Sequence, residues 1–144
     1  MKNSDILNDA ALDILSSIEE GVHIVDENGF TQIYNNAMSE IEGLEKTMVV
    51  GRHLLDVYPE WTKENSTILT VLNTDKPILN REQSYLNFKG KRITTINSTY
   101  PIYRDGILVG AVEISKNNTY VSHMSEKIVE LQQRLLKDKK KKDS

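Results

Sequence analysis

The stretch Arg92-Ile-Thr-Thr-Ile-Asn-Ser-Thr-Tyr-Pro-Ile102, followed by Tyr103-Arg-Asp-Gly106 and Ile107-Leu-Val-Gly-Ala-Val-Glu-Ile-Ser115, decides the fold. β-Branched and aromatic residues fill both arms, and Asp105-Gly106 supplies the positive φ angles that a tight hairpin needs. The arms therefore read as two long antiparallel strands. Thr95, Asn97 and Thr99 alternate, so a period of two puts them on one face of the first arm. Glu113 sits inside the second arm between Val112 and Ile114. Either that face is wet, or it lines a cavity that holds something polar.

Before the hairpin, Ile78–Phe88 reads as a third strand joined through Lys89-Gly90. On the N-terminal side, Val22–Val25 and Phe30–Tyr34 form a pair of strands around the turn Asp26-Glu-Asn-Gly29. Asn35 and Asn36 open a short helix, Ala37–Ile41, that Gly43 closes. Leu44–Trp61 is irregular with short helical turns, and Ser66–Asn73 reads as a helix ended by Pro77. The chain begins with a helix that Ser4 can cap, its apolar stripe of Leu7, Ala11, Ile14 and Ile18 running to Gly21. It returns to helix over Thr119–Leu136, where Val121, Met124, Ile128, Leu131 and Leu135 step 3, 4, 3 and 4, the spacing of a coiled-coil seam. The run Lys137–Lys142 reads as a solvated end. The expected fold is α+β: a five-stranded antiparallel sheet with short helices over one face. It divides into an N-terminal amphipathic helix (1–18), a sheet domain (19–118) and a C-terminal helix with a lysine-rich end (119–144).

A length of 144 residues suits one domain with a real core. The net charge is only −3, although residues 137–144 carry +3 of their own. Nothing global points to nucleic acid, and one polybasic run without an apolar anchor binds membranes weakly. The chain has no cysteine, so disulfides and thiolate metal sites are excluded. No apolar run approaches a signal core or a membrane span, and the expected compartment is the cytoplasm. There are no paired carboxylates at catalytic spacing, no nucleophile motif and no phosphate loop, so the chain reads as a non-enzyme.

Gly21-Val-His-Ile-Val-Asp-Glu-Asn-Gly29, Tyr34-Asn-Asn-Ala37, Gly43, Gly51-Arg52 and Val109-Gly-Ala-Val-Glu-Ile114 together resemble a PAS domain over residues 15 to 119 or so. Gln83-Ser-Tyr85, Ile93-Thr-Thr-Ile-Asn97, Thr99-Tyr-Pro-Ile102 and Gly110-Ala-Val-Glu-Ile114 are similar, more narrowly, to the N-terminal sensors of arginine-utilisation regulators among the sigma-54-dependent activators. The resemblance implies a sensor that precedes an AAA+ ATPase and a helix-turn-helix in a longer parent chain, and this sequence carries neither.

For cofactors the expectation is none. A flavin photoadduct needs a cysteine, and a haem-binding PAS domain usually draws its axial histidine from the helix at Ser66–Asn73, which has none. His23, His53 and His123 fall on a strand, a loop and the last helix, and no spacing matches a metal site. Carrying the PAS register across places His23, Val25, Gln83, Tyr85, Thr95, Asn97, Thr99, Ala111, Glu113 and Ser115 inward. A one-residue slip in any strand would turn its set to the other face. His23, Tyr85, Thr95, Asn97, Thr99 and Glu113 are the candidate ligand contacts. The expected ligand is a small polar metabolite, with arginine, ornithine and citrulline first by resemblance. Leu7, Ala11, Ile14, Met124, Ile128, Leu131 and Leu135 are the candidate homodimer contacts. The competing reading is a ligand-free module for dimerisation or protein contact only.

Overall fold

A computed structural model describes residues 3–143, with side chains from Asn8 onward. Ser4 as a cap and Leu7 as a stripe residue therefore lie outside the described side chains. The order is α1 (Asn3–Ser17), β1 (Gly21–Asp26), β2 (Thr31–Tyr34), α2 (Asn36–Glu42), a 3₁₀ turn (Lys46–Met48), α3 (Leu54–Val57), α4 (Thr67–Thr74), β3 (Ile78–Leu86), β4 (Arg92–Arg104), β5 (Ile107–Asn117) and α5 (Thr119–Lys142). The strands form one antiparallel sheet in the order β2-β1-β5-β4-β3. Chain order and sheet order differ because β5 inserts between β1 and β4, which makes it the central strand.

Each local element has an identifiable cause. The β4–β5 hairpin turns through Asp105 (φ 52°) and Gly106 (φ 78°), the two positive φ angles of the tight turn. Asn35 caps α2 by accepting from Met38 N at 3.0 Å, and Gly43 ends that helix in the left-handed region. Ser66 caps α4 through Leu69 N. Asp75, itself left-handed at φ 63°, ends α4 two residues before Pro77. The first helix stops at Ser17, four residues short of Gly21, so Ile18 is not helical.

The short helices α2, α3 and α4 cover one sheet face. Val25 and Ala111 from the sheet pack with Leu54, Tyr58, Ile68 and Val71, while Tyr34, Met38 and Val49 form a second cluster. Ala11, Ile14, Met124, Ile128, Leu131 and Leu135 are exposed in the single chain. The last helix differs from its expected extent, because it continues through the lysine run to Lys142. Lysine is a good helix former, and cations in the last turn complement the partial negative charge at a helix C-terminus. No described helix is long and apolar enough to cross a membrane.

Two glycines separate backbone conformation from close approach. A Cβ on Gly106 would meet nothing within 4 Å, so Gly106→Ala carries only the cost of its φ, about 1 kcal/mol. A Cβ on Gly110 would stand 2.1 Å from the Val25 carbonyl oxygen, inside the β1–β5 ladder. Gly110→Ala is expected to cost about 3 kcal/mol or more. Urea denaturation of the two variants should rank them in that order, and equal losses would contradict the close approach.

Candidate functional site

The sheet register sets a row of polar side chains under the helices. Tyr34 pairs with His23, His23 with Glu113, and Glu113 with Thr99, so the row crosses β2, β1, β5 and β4. Ser115 and Asn97 are cross-strand partners in the next row. A pocket of about 710 Å³ opens above these rows, roofed by the end of α2, the Val57–Trp61 segment and the start of α4. His23, Gln83, Tyr85, Asn97, Glu113 and Ser115 line it. Thr95 and Thr99 share the face but lie fully buried behind the wall and do not line the pocket.

Glu113 is held by hydroxyls. Thr67 Oγ1 donates to one carboxylate oxygen at 2.9 Å and Ser115 Oγ to the other at 3.1 Å. Thr99 Oγ1 donates in turn to Thr67 Oγ1 at 3.0 Å, so Thr99 positions the helix residue that reaches Glu113. Burial raises the Glu113 pKa, and the two hydroxyls oppose that shift. A second carboxylate, Glu42 at the last position of α2, lines the same pocket and accepts from Tyr58 Oη at 2.8 Å. Its pKa is pushed up to about 7, first by burial and further by the charge of Glu113, against hydrogen bonds from Tyr58 and Tyr34. No Lys or Arg forms an ion pair with either carboxylate among the described residues.

His23 does not supply the missing charge. It is buried, its Nε2 is paired with Thr31 Oγ1 at 2.7 Å, and its ring meets Tyr34 edge-on. Burial lowers its pKa to about 3, so it is neutral at physiological pH. His53 serves the backbone instead, its Nδ1 accepting from Leu55 N at the start of α3. Tyr85 is pushed up to about 12 by burial and then by the Glu42 charge, which the Thr95 hydroxyl opposes. The Thr95 hydroxyl and Asn97 Oδ1 nevertheless lack a hydrogen bond of ordinary geometry. Asn97 Nδ2 donates to Gln83 Oε1 at 2.7 Å. Stacked rings of Tyr58 and Trp61, with centroids 3.8 Å apart, supply an apolar wall.

Glu42, Tyr58, Trp61 and Thr67 were not among the candidates read from the sequence. Glu42 carried one signal, since a carboxylate in the last turn of a helix opposes the partial charge there and calls for another reason.

The model for the PAS fold matches residues 13–112, more than half of the chain. The chain belongs to the PAS family. It is 44% identical over 124 residues to the transcriptional activator RocR of Bacillus subtilis (strain 168), a span of 86% of this chain and 27% of RocR. This PAS domain thus spans about a quarter of the length of that relative. It superposes on the PAS domain of a Colwellia psychrerythraea protein with a TM-score of 0.63, at 20% identity over 81% of this chain and 99% of the other. An RNA-binding light-oxygen-voltage receptor gives a TM-score of 0.69 at 12% identity, over 93% and 40% of the two chains. At those identities the likeness is one of fold.

The raised Glu42 pKa sets a pH dependence. Between about 4.5 and 7 the folded carboxyl holds a proton that the unfolded one has lost, so its contribution to stability falls as pH rises through that window. Glu42→Gln should therefore be more stable than the wild type at pH 8, by up to about 3 kcal/mol, and nearly equal to it at pH 4.5. His23 has the opposite slope, but it is common to both proteins and cancels in the difference. Denaturant unfolding of both at the two pH values measures it, and a pH-independent difference would contradict the buried-carboxylate assignment.

Proposed function

We propose that this PAS domain is the sensor of a RocR-like transcriptional activator and binds a small cationic metabolite in the pocket between Glu42 and Glu113. The observation that carries the reading is the pair of shielded carboxylates in one pocket without a basic partner among the described residues. Charges removed from water are costly unless paired, and an ammonium or guanidinium would offset that cost through charge-assisted hydrogen bonds. The pocket volume falls in the usual range for small-molecule sites. A module for dimerisation alone would have no need of such a cavity. Family resemblance alone puts arginine, ornithine and citrulline first, and of these only arginine and ornithine carry a cationic side chain. The role is binding rather than catalysis: the Thr67 and Ser115 hydroxyls donate to Glu113, and no histidine activates them.

The signal would leave through α5. Thr119 Oγ1 accepts from Thr94 N at 3.0 Å and Asn118 N donates to Thr94 O at 2.8 Å, fastening the helix start to β4 beside Thr95. The AAA+ and DNA-binding output domains would belong to a longer parent chain, and the cytoplasm is the compartment that fits it. The apolar seam of α5 and the exposed stripe of α1 would meet a second copy in a parallel homodimer.

Thermal denaturation with a panel of cationic nitrogen metabolites tests the binding reading. A ligand at about a hundred times its dissociation constant should add roughly 2.7 kcal/mol, seen as a rise of several degrees in melting temperature. Glu113→Gln should fold yet lose most of that rise. Should no cationic metabolite stabilise the wild type, or should Glu113→Gln respond equally, the reading fails.

Light scattering tests the dimer. The intact chain should be dimeric, while Leu131→Asp or removal of residues 120–144 should weaken the association. A monomeric intact chain in the micromolar range would mean that the seam serves some other contact.

A further inference from the structure

The pocket also specifies which cationic class it can hold, an inference that rests on the cation-binding reading. Its lining carries Glu42, Glu60 and Glu113 and neither Lys nor Arg, and its one histidine, His23, is neutral and committed to Thr31. The independent observation is Asn97. This residue is only 3% exposed, it lines the pocket, its Nδ2 is spent on Gln83, and its buried Oδ1 has no donor. The unmet demand is therefore for hydrogen-bond donors and positive charge. An amino acid brings an α-carboxylate, which would enter beside shielded carboxylates with no cation to meet it. Like charges in a poorly solvated site are strongly unfavourable.

We propose that the pocket selects carboxylate-free diamines over the amino acids that share their carbon skeleton. Glu42, from the end of α2, takes one ammonium, and Glu113, from the centre of β5, takes the other. Asn97 Oδ1, which has almost no accessible surface in this arrangement, accepts a further N–H once its side chain turns into the pocket. The methylene chain lies along the Tyr58–Trp61 stack, whose ring faces also attract cations. Thr67 and Ser115 already donate to Glu113, so they hold its carboxylate in place for the incoming ammonium.

The decisive comparison uses 1,4-diaminobutane and ornithine, which differ by one α-carboxylate. Isothermal titration of the intact chain at pH 7.5 should show the diamine binding at least tenfold more tightly than ornithine and at least tenfold more tightly than n-butylamine. Glu42→Gln and Glu113→Gln should each reduce the diamine to the n-butylamine level. Gln83→Lys, which adds a cation to the wall, should narrow the gap between ornithine and the diamine. Ornithine binding as tightly as the diamine, or more so, would overturn the selectivity while leaving the cation-binding reading intact. Binding of no amine and no basic amino acid would overturn both. If a glutamate variant fails to fold, the wild-type ratio of diamine to ornithine decides alone.

Discussion

Asn35 is the interaction on which the arrangement of the chain depends. Its side chain is buried and makes four hydrogen bonds to backbone. Oδ1 accepts from Val22 N at 2.8 Å and Met38 N at 3.0 Å, and Nδ2 donates to Leu15 O at 2.8 Å and Glu20 O at 2.9 Å. One amide thus joins the end of α1, the entry to β1 and the first turn of α2. Val22 N and Met38 N are buried donors that Asn35 satisfies, which makes the joint costly to break. Because α2 is short and pinned at its first turn by Asn35, its last residue, Glu42, is delivered to a fixed place over the sheet. The Asn87–Lys91 turn fixes the other end: Asn87 Nδ2 donates to Ile41 O and Phe88 N to Glu42 O.

The sheet contributes the facing carboxylate by the same logic of position. Gly110 lets β5 approach β1 closely enough to hold the register that sets His23 opposite Glu113. Thr99 lies on the other side of Glu113, and through Thr67 it ties β4 to α4. The pocket is therefore bounded by two anchored helix ends and four strands. Most of its polar groups are stationed by strand register and helix ends, while Glu60 and Asn65 come from the segment between α3 and α4.

Much of this was legible in the sequence because it rests on short-range rules. Asp105-Gly106 announced its own turn, and the alternation of Thr95, Asn97 and Thr99 put them on one face, where the structure also has them. The period of two could not tell lining from backing, which depends on how helices sit above the strand. Asn97 reaches the pocket while Thr95 and Thr99 stop behind it. Glu42, Tyr58, Trp61 and Thr67 were hidden for a related reason. They come from separate short elements that meet only in three dimensions, and the Leu44–Trp61 segment has no periodicity to read. The helical lysine run was missed because solvation and helix formation are compatible at a charged C-terminus.

The hydrogen bonds between the pocket and the terminal helices show which groups are already spoken for. Glu113 has hydroxyl donors on both oxygens, so a cation arriving there joins an existing network that runs through Thr67 to Thr99 on β4. Thr94, on the same strand, holds the first residue of α5 through its backbone and Ser84 through its hydroxyl. Glu42 leads the other way, along α2 to Asn35 and the last turn of α1. The two carboxylates therefore stand at the inner ends of separate routes, one to each terminal helix. A ligand with a single positive group can neutralise one of them and leave the other carboxylate as it was. On the proposed diamine reading, a ligand held at both would bias α1 and α5 together, and a dimer built from both helices would respond to that combined change.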